Sequence, residues 1–420
     1  MKESLPVQAL FIFYRLLWFL ATPLLLRSPR LKEGAAERLL QDIRFSKVDL
    51  WIHAASVGEA YIAGQILRSF DKDLRFKILV TTNTAQGREI LKKELHNLNH
   101  DISITYMVFD NPSLVKKAVE IADPEILVLI ELEIWPALMA EIKRKGKKII
   151  IVNGRMTEKS FNGYKKAAFL WRLLKPNVIL ANSEENKTRL QALFQQPATY
   201  YVPNIKFDRM EKCQIGERTQ KTKKNLVLAS IRKEEEEAVF YVIKKILKMF
   251  PNIRIDIFPR HLHRVKNWEK RLSYANISCS LKTASPENNS FQVMIWDVFG
   301  ELINAYQRAD AVFVGGSLAP LGGQNFIEAF MNGVIPVTGP SVSNFLWAGK
   351  EVFVEGLVLK GNTREEVLEL LTNVLQNPID KILTQQKADN YIKGKQGGSR
   401  KTCQHIVDLL PNRKLNEIKT

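Results

Sequence analysis

Three short stretches in the first half of the chain place charged residues where chemistry can be done. In "WIHAASVGEAYIAGQIL", Trp51 to Leu67, a β-branched and aromatic run gives way to small residues at helical spacing, with Ser56-Val57-Gly58-Glu59 between the two. A serine followed three residues later by a glutamate satisfies two orphan N–H groups of a helix start. A carboxylate at a strand-to-helix turn is equally well placed to take a proton from a substrate. Both roles are open for Glu59, and a helix start is expected to keep its carboxylate ionised. In "LIELEIWPALMAEI", Glu131 and Glu133 end an entirely apolar strand, where two carboxylates are costly unless they face solvent or hold a ligand. In "VPNIKFDR", Lys206 sits in a loop after a short strand, either solvated or facing an anion.

The second half offers groups suited to a phosphate. "DIFPRHLHRV" ends a strand in Pro259-Arg260-His261, and an arginine there can grip a phosphate with two N–H groups. His261 and His263 lack a third or fourth ligand at metal spacing, so no metal is expected. In "AVFVGGSLAPLGGQNFIEAFMNGVIPVTGP" a strand opens into Gly315-Gly316, and Gly322-Gly323 precedes a short helix expected from about Asn325 to Met331. Paired glycines admit close approach of a ligand, and Glu328 in the first turn of that helix could accept hydrogen bonds from a ribose diol. Turn glycines with an ordinary glutamate would look the same, and the spacing matches neither dinucleotide nor Walker fingerprints. "MIWDVFGELINAY" places Gly300-Glu301 at another helix start, open to nucleotide contact or to capping.

Elements that position these residues are legible as an alternation. From Val48 onward, "VDLWIHAA", "RFKILVTTN", "ISITYMVFD", "EILVLIELE", "KKIIIVNGR" and "NVILANSE" read as strands. Helices are expected over about 57–70, 85–95, 112–122 and 136–145. Apolar strands alternating with helices predict a parallel sheet covered on both faces. The polar stretch "RMEKCQIGERTQKTKK" interrupts the rhythm as a linker, and a second series follows with "NLVLAS", "RIDIFPRH", "FQVMIWD", "AVFVGGS" and "VIPVTG". The expected organisation is a membrane-associated helix over 1–30, a Rossmann-like domain over 31–208, a linker over 209–224, a second Rossmann-like domain over 225–395, and a C-terminal helix with a basic tail over 396–420. Two doubly wound α/β domains of this kind are expected to bind ligands in a cleft, at their strand C-termini.

Composition narrows the partners. A chain of 420 residues, 45% apolar and 25% charged, is globular and too long for one ordinary core. Its formal charge of +18 suits an anionic partner. Cys213, Cys279 and Cys403 are distant and odd in number, which indicates a reducing compartment. "QALFIFYRLLWFLATPLLL", residues 8–26, is about as long as a bilayer needs but carries Arg15 and Pro23 and no cleavage signal. With Arg27, Arg30 and Lys32 flanking it, the segment fits one lying in a membrane interface, or a first helix packed on its own domain. Basic residues are not interleaved with aromatics along a stripe, so nucleic acid is not an expected partner.

Taken in order, "WIHAASVGE", "IELEIWP", "IIIVNGRMTEKSF", "PNIKFD", "FPRHLHR", "GELINAYQRADAVFVGGSLAPLGGQNFIEA" and "GP" followed by Asn344-Phe345 form a series over about residues 10–350. The series resembles that of the 3-deoxy-D-manno-octulosonic acid (Kdo) transferases of lipopolysaccharide synthesis, inverting glycosyltransferases of the GT-B fold. The resemblance implies Glu59 as general base toward the acceptor hydroxyl, with Glu131 and Lys206 supporting the transition state. It implies contacts to the CMP of a CMP-Kdo donor from Pro259, Arg260, Phe299, Gly300, Glu301, Gly316, Asn325, Phe326, Ile327 and Glu328. It further implies a lipid A precursor (lipid IVA) as acceptor, no metal or other cofactor, and a place at the cytoplasmic face of the inner membrane. Several positions depart from the family pattern: Gln324 and Phe326 replace a histidine and a proline, Ser230-Ile231-Arg232 replaces Ser-Thr-His, and Pro203 replaces a glycine. The rival expectation is another GT-B enzyme using a UDP-sugar, a transferase or an epimerase, which would share the glycine turn and Glu328 but not the remaining series.

Overall fold

The computed structural model describes residues 5–210, 223–284 and 291–411, so most of the linker, Cys213 and the basic tail lie outside the described residues. The chain divides into two compact units, residues 1–210 with 395–420, and residues 211–394. Among the described residues each unit contains one all-parallel seven-stranded sheet.

In the first unit the strands are β1 (Leu50–His53), β2 (Lys77–Thr82), β3 (Asp101–Tyr106), β4 (Ile126–Ile130), β5 (Lys148–Gly154), β6 (Val178–Ala181) and β7 (Thr199–Tyr201), in the order β3-β2-β1-β4-β5-β6-β7. Strand residues divide cleanly between the two faces. Trp51, Leu79, Leu127, Leu129 and Ile151 enter one core, whereas Leu50, Ile52, Ile78, Val80 and Val128 enter the other. That division is why the strands read as unbroken apolar runs. Helices Val57–Arg68, Ala85–Leu95, Pro112–Ala122 and Pro136–Arg144 follow the first four strands, close to the expected bounds. The strand order reverses between β1 and β4, and ligands of open α/β sheets bind at the C-terminal ends beside such a switch point.

The second unit holds β8 (Asn225–Ile231), β9 (Arg254–Pro259), β10 (Cys279–Leu281), β11 (Val293–Ile295), β12 (Ala311–Val314), β13 (Pro336–Thr338) and β14 (Leu359–Lys360), in the order β10-β11-β9-β8-β12-β13-β14. Its switch point lies between β8 and β12, at Ser230–Arg232 and Gly315-Gly316.

The first helix, Leu5–Leu25, packs on its own unit, the second of the two expectations for it. Phe11 and Tyr14 pack on the core of the first unit, Trp18 lies 5.6 Å from Phe109, and the Tyr14 hydroxyl donates to buried Asp110 at 2.9 Å. Ile12, Phe13, Leu16, Phe19, Leu20 and Leu24 on the same helix stay exposed, Phe19 by 72%. Among the described residues no helix is long and apolar enough to cross a membrane.

The C-terminal helix Gly398–Leu409 belongs to the first unit, and only its existence, not its docking, could be read from the sequence. Cys403 and Ile406 enter the core beneath helix Val57–Arg68. The turn before it clasps the loop that carries Lys206. Asp208 accepts from the backbone of Gly397 and Ser399, both at 2.6 Å, and from the Ser399 hydroxyl at 2.5 Å. The Gln396 amide donates to the carbonyls of Phe207 and Met210 at 3.0 and 3.1 Å. A Cβ on Gly398 would lie 2.0 Å from the Pro203 carbonyl oxygen, so only glycine fits.

Candidate active site

At the switch point of the first unit, β1 ends at His53 and two alanines lead to Ser56, the N-cap of helix Val57–Arg68. Glu59 folds back over that start. Its carboxylate accepts from the Ala55 N–H at 2.7 Å and from the Ser56 hydroxyl at 2.8 Å, so the capping expectation holds. The expectation of a readily ionised carboxylate does not. Glu59 is only 8% exposed, and its pKa rises to about 7, first through burial and then through the negative charge of Glu133. Desolvation outweighs the two hydrogen bonds and the helix start. The result is a carboxylate poised to exchange a proton near neutral pH.

Beside it, Glu131 directly follows β4, and its φ of +57° is the left-handed conformation that side chains seldom adopt. Glu131 Oε1 accepts from Lys206 Nζ at 2.8 Å, which replaces the solvated expectation for that lysine with an ion pair. Two buried asparagines build the loop beneath it: Asn153 accepts from the Ile205 N–H at 3.1 Å, and Asn204 from the Lys206 N–H at 3.0 Å. Glu133 accepts from the Trp135 indole at 3.2 Å and lies 3.5 Å from His53 Nε2. Glu59, Glu131 and Lys206, expected to act together, therefore stand in one neighbourhood, and His53, Asn153, Asn204 and Trp135 join them without having been singled out in the sequence.

In the second unit the expectations fare unevenly. Arg260 is exposed directly after β9 and Phe299 is 71% exposed, so both side chains are available to a ligand, whereas Pro259 is buried. Gly300 has φ +90°, and Glu301 accepts from the Asn304 amide at 3.0 Å. The glycine turn is a closed loop, with Gly323 N–H donating to Gly316 and Gln324 N–H to Gly315 at 2.8 and 3.0 Å. Asn344 bonds the carbonyls of Leu321 and Gly323, and a Cβ on Gly322 would lie 2.5 Å from its amide. The Gly316 N–H is not open to a phosphate. It donates to Glu235, a buried carboxylate that also receives the N–H groups of Arg232, Ser317 and Leu318 at 2.9, 3.2 and 3.2 Å. An anion-binding nest is thus filled from within. Nothing in the charged run Arg232–Glu237 distinguishes Glu235 in the sequence.

The short helix is Ile327–Met331, starting two residues later than expected. Phe326 and Ile327 are each 1% exposed, and Phe326 packs on Phe345 and Phe353, so neither side chain can touch a ligand there. Asn325 caps the turn, accepting from Ile327 N–H at 3.2 Å and donating to Glu328 at 2.7 Å, while burial raises the Glu328 pKa. His261 and His263 stack with ring centroids 5.5 Å apart, and the described residues contain no group of three potential ligands able to hold a metal.

Residues 28–209 match the family model described as 3-deoxy-D-manno-octulosonic-acid transferase (kdotransferase). A 3-deoxy-D-manno-octulosonic acid transferase of Rickettsia bellii is 30% identical over 353 residues, which span 80% of each chain. The chain belongs to this family. The corresponding Aquifex aeolicus transferase is 26% identical over 84% of this chain and 93% of its own. A bifunctional glycosyltransferase/methyltransferase of Fusobacterium nucleatum is 29% identical, and this Kdo transferase family member spans 56% of its length. Among solved structures, a glycosyltransferase from Rickettsia africae aligns over 88% of this chain and 100% of its own, with TM-score 0.56 and 10% identity. A UDP-GlcNAc 2-epimerase from Neisseria meningitidis aligns over 86% and 99%, with TM-score 0.52 and 14% identity. Those likenesses establish the GT-B type of fold, two parallel-sheet α/β units, for this glycosyltransferase.

Proposed function

We propose that the protein transfers Kdo from CMP-Kdo to a lipid A precursor (lipid IVA), with inversion and with Glu59 as general base. An acceptor hydroxyl attacks the anomeric carbon of the donor, its proton passes to Glu59, and the bond from that carbon to the CMP phosphate oxygen breaks. Lys206 and Glu131 orient and balance charge at the reacting centre, and preorganised charge of this kind is a major source of catalysis. Arg260 binds the CMP phosphate, with Phe299, Gly300, Glu301, Asn325 and Glu328 lining the nucleotide, and the reading uses no metal. The observation that carries it is the meeting of Glu59, Glu131 and Lys206 at the switch point, with Glu59 tuned to about 7.

The exposed apolar face of helix Leu5–Leu25, with exposed Arg15 and Arg27 on it and beyond it, supports docking at an anionic membrane surface. In the proposed setting that surface is the cytoplasmic face of the inner membrane, where a phosphorylated glycolipid acceptor would lie. A donor panel tests the assignment: purified protein with a tetraacylated lipid A precursor should gain the mass of Kdo from CMP-Kdo and nothing from UDP-sugars. Transfer from a UDP-sugar, or epimerisation of one, would overturn it.

A further inference from the structure

We propose that His53 and Glu133 are positioning residues, a buried imidazole paired with a half-buried carboxylate beside Glu59, that set how strongly Glu59 holds a proton. The inference rests on the reading of Glu59 as the base.

His53 is 0% exposed, an unusual place for an imidazole without a task. Its Nδ1 lies 3.0 Å from Thr81 Oγ1, which accepts from the donor-only Trp51 indole at 2.9 Å. A Thr81 hydroxyl that donates to Nδ1 satisfies that ring nitrogen while still accepting from Trp51. In that arrangement the ring carries a proton on Nε2. That atom is buried, makes no hydrogen bond, and has Glu133 Oε2 3.5 Å away.

Two carboxylates act on Glu59, and they are compensated differently. Glu131 is held by Lys206 at 2.8 Å, whereas Glu133 faces an imidazole at 3.5 Å and the Trp135 indole at 3.2 Å. Of the two, Glu133 acts more strongly on Glu59. The helix start contributes only the Ala55 N–H and the Ser56 hydroxyl on the opposing side of the balance. Glu133 makes the base stronger, and the His53 proton limits by how much.

The test is the acidic limb of the pH profile for Kdo transfer from CMP-Kdo, measured on the full chain. Glu133→Gln should shift that limb toward acid by about half to one pH unit, as removal of a neighbouring like charge requires, and lower the plateau. His53→Gln leaves all three carboxylates in place and should shift the limb the other way, since Glu133 loses its shield. In the double variant the His53→Gln shift should vanish. An unmoved limb in either folded single variant, or a His53→Gln shift that persists without Glu133, overturns the inference. Glu59→Gln is assayed in parallel: retained turnover there would sink the reading of the base itself, a separate failure.

Discussion

Lys206 Nζ and Glu131 Oε1 lie 2.8 Å apart across 75 residues of sequence, and one of the pair is held in a left-handed backbone conformation. Strain of this kind persists where surrounding structure fixes it, and it concentrates at functional sites. Lys206→Ala should lower kcat by about 10²-fold, the usual loss of one preorganised charge. Stability should fall by no more than about 1 kcal/mol, because the pair is partly open to solvent. Steady-state kinetics beside a denaturant melt separates the two effects.

Glu59 makes folding depend on pH with an unusual sign. Its pKa lies higher in the folded protein, about 7, than the ordinary carboxylate value of 4.5. The folded chain therefore holds this proton more tightly, and stability is lost as pH rises from the unfolded value through the folded one. Glu59→Gln removes that titration. Relative to wild type, the variant should be more stable by about 2 kcal/mol at pH 8 than at pH 5. Urea melts of both proteins at the two pH values would show it, and equal differences at both would contradict the shift.

The turn before the C-terminal helix should matter to a lysine that it never touches. Gly398→Ala forces a methyl against the Pro203 carbonyl, three residues before Lys206, and neither backbone has slack to yield. Asp208→Ala strips the N-terminus of helix Gly398–Leu409 of its cap, a loss of about 1–2 kcal/mol. Both variants should lower the melting temperature and kcat together, with CMP affinity unchanged. A drop in CMP affinity alone would contradict this account of the clasp.

Arg260 and Glu235 should separate binding from architecture in the second unit. Arg260→Ala removes an exposed guanidinium and should weaken CMP binding at least tenfold, about the value of one charge-assisted contact. Glu235→Ala leaves four buried or half-buried N–H groups without an acceptor and should cost several kcal/mol, ~1–3 kcal/mol for each group left unpaired. Calorimetric titration with CMP and thermal melts distinguish the two outcomes.

Much of this was legible because central parallel strands are apolar on both faces. β1, β4, β5, β8 and β12 announce themselves as unbroken runs, and the Ser56–Glu59 box and Pro136 mark helix starts to the residue. Short edge strands were not visible. Thr199–Tyr201 has two exposed tyrosines and Leu359–Lys360 spans two residues, so neither shows an apolar run. Pairings across the sheet were equally hidden: His53 meets Glu133 only because β1 and β4 are neighbours, and Glu235 meets Gly316 only because β8 and β12 are. The ionisation of Glu59 was misjudged for a related reason, since a helix start can be seen in sequence but the desolvation opposing it comes from residues folded over the site.

Product mass from Glu59→Gln with CMP-Kdo and a tetraacylated lipid A precursor bears on the central claim most directly. Loss of the general base should abolish detectable Kdo addition while calorimetry shows CMP bound as tightly as by wild type. Kdo addition by that variant at a rate near the wild-type rate would contradict the account.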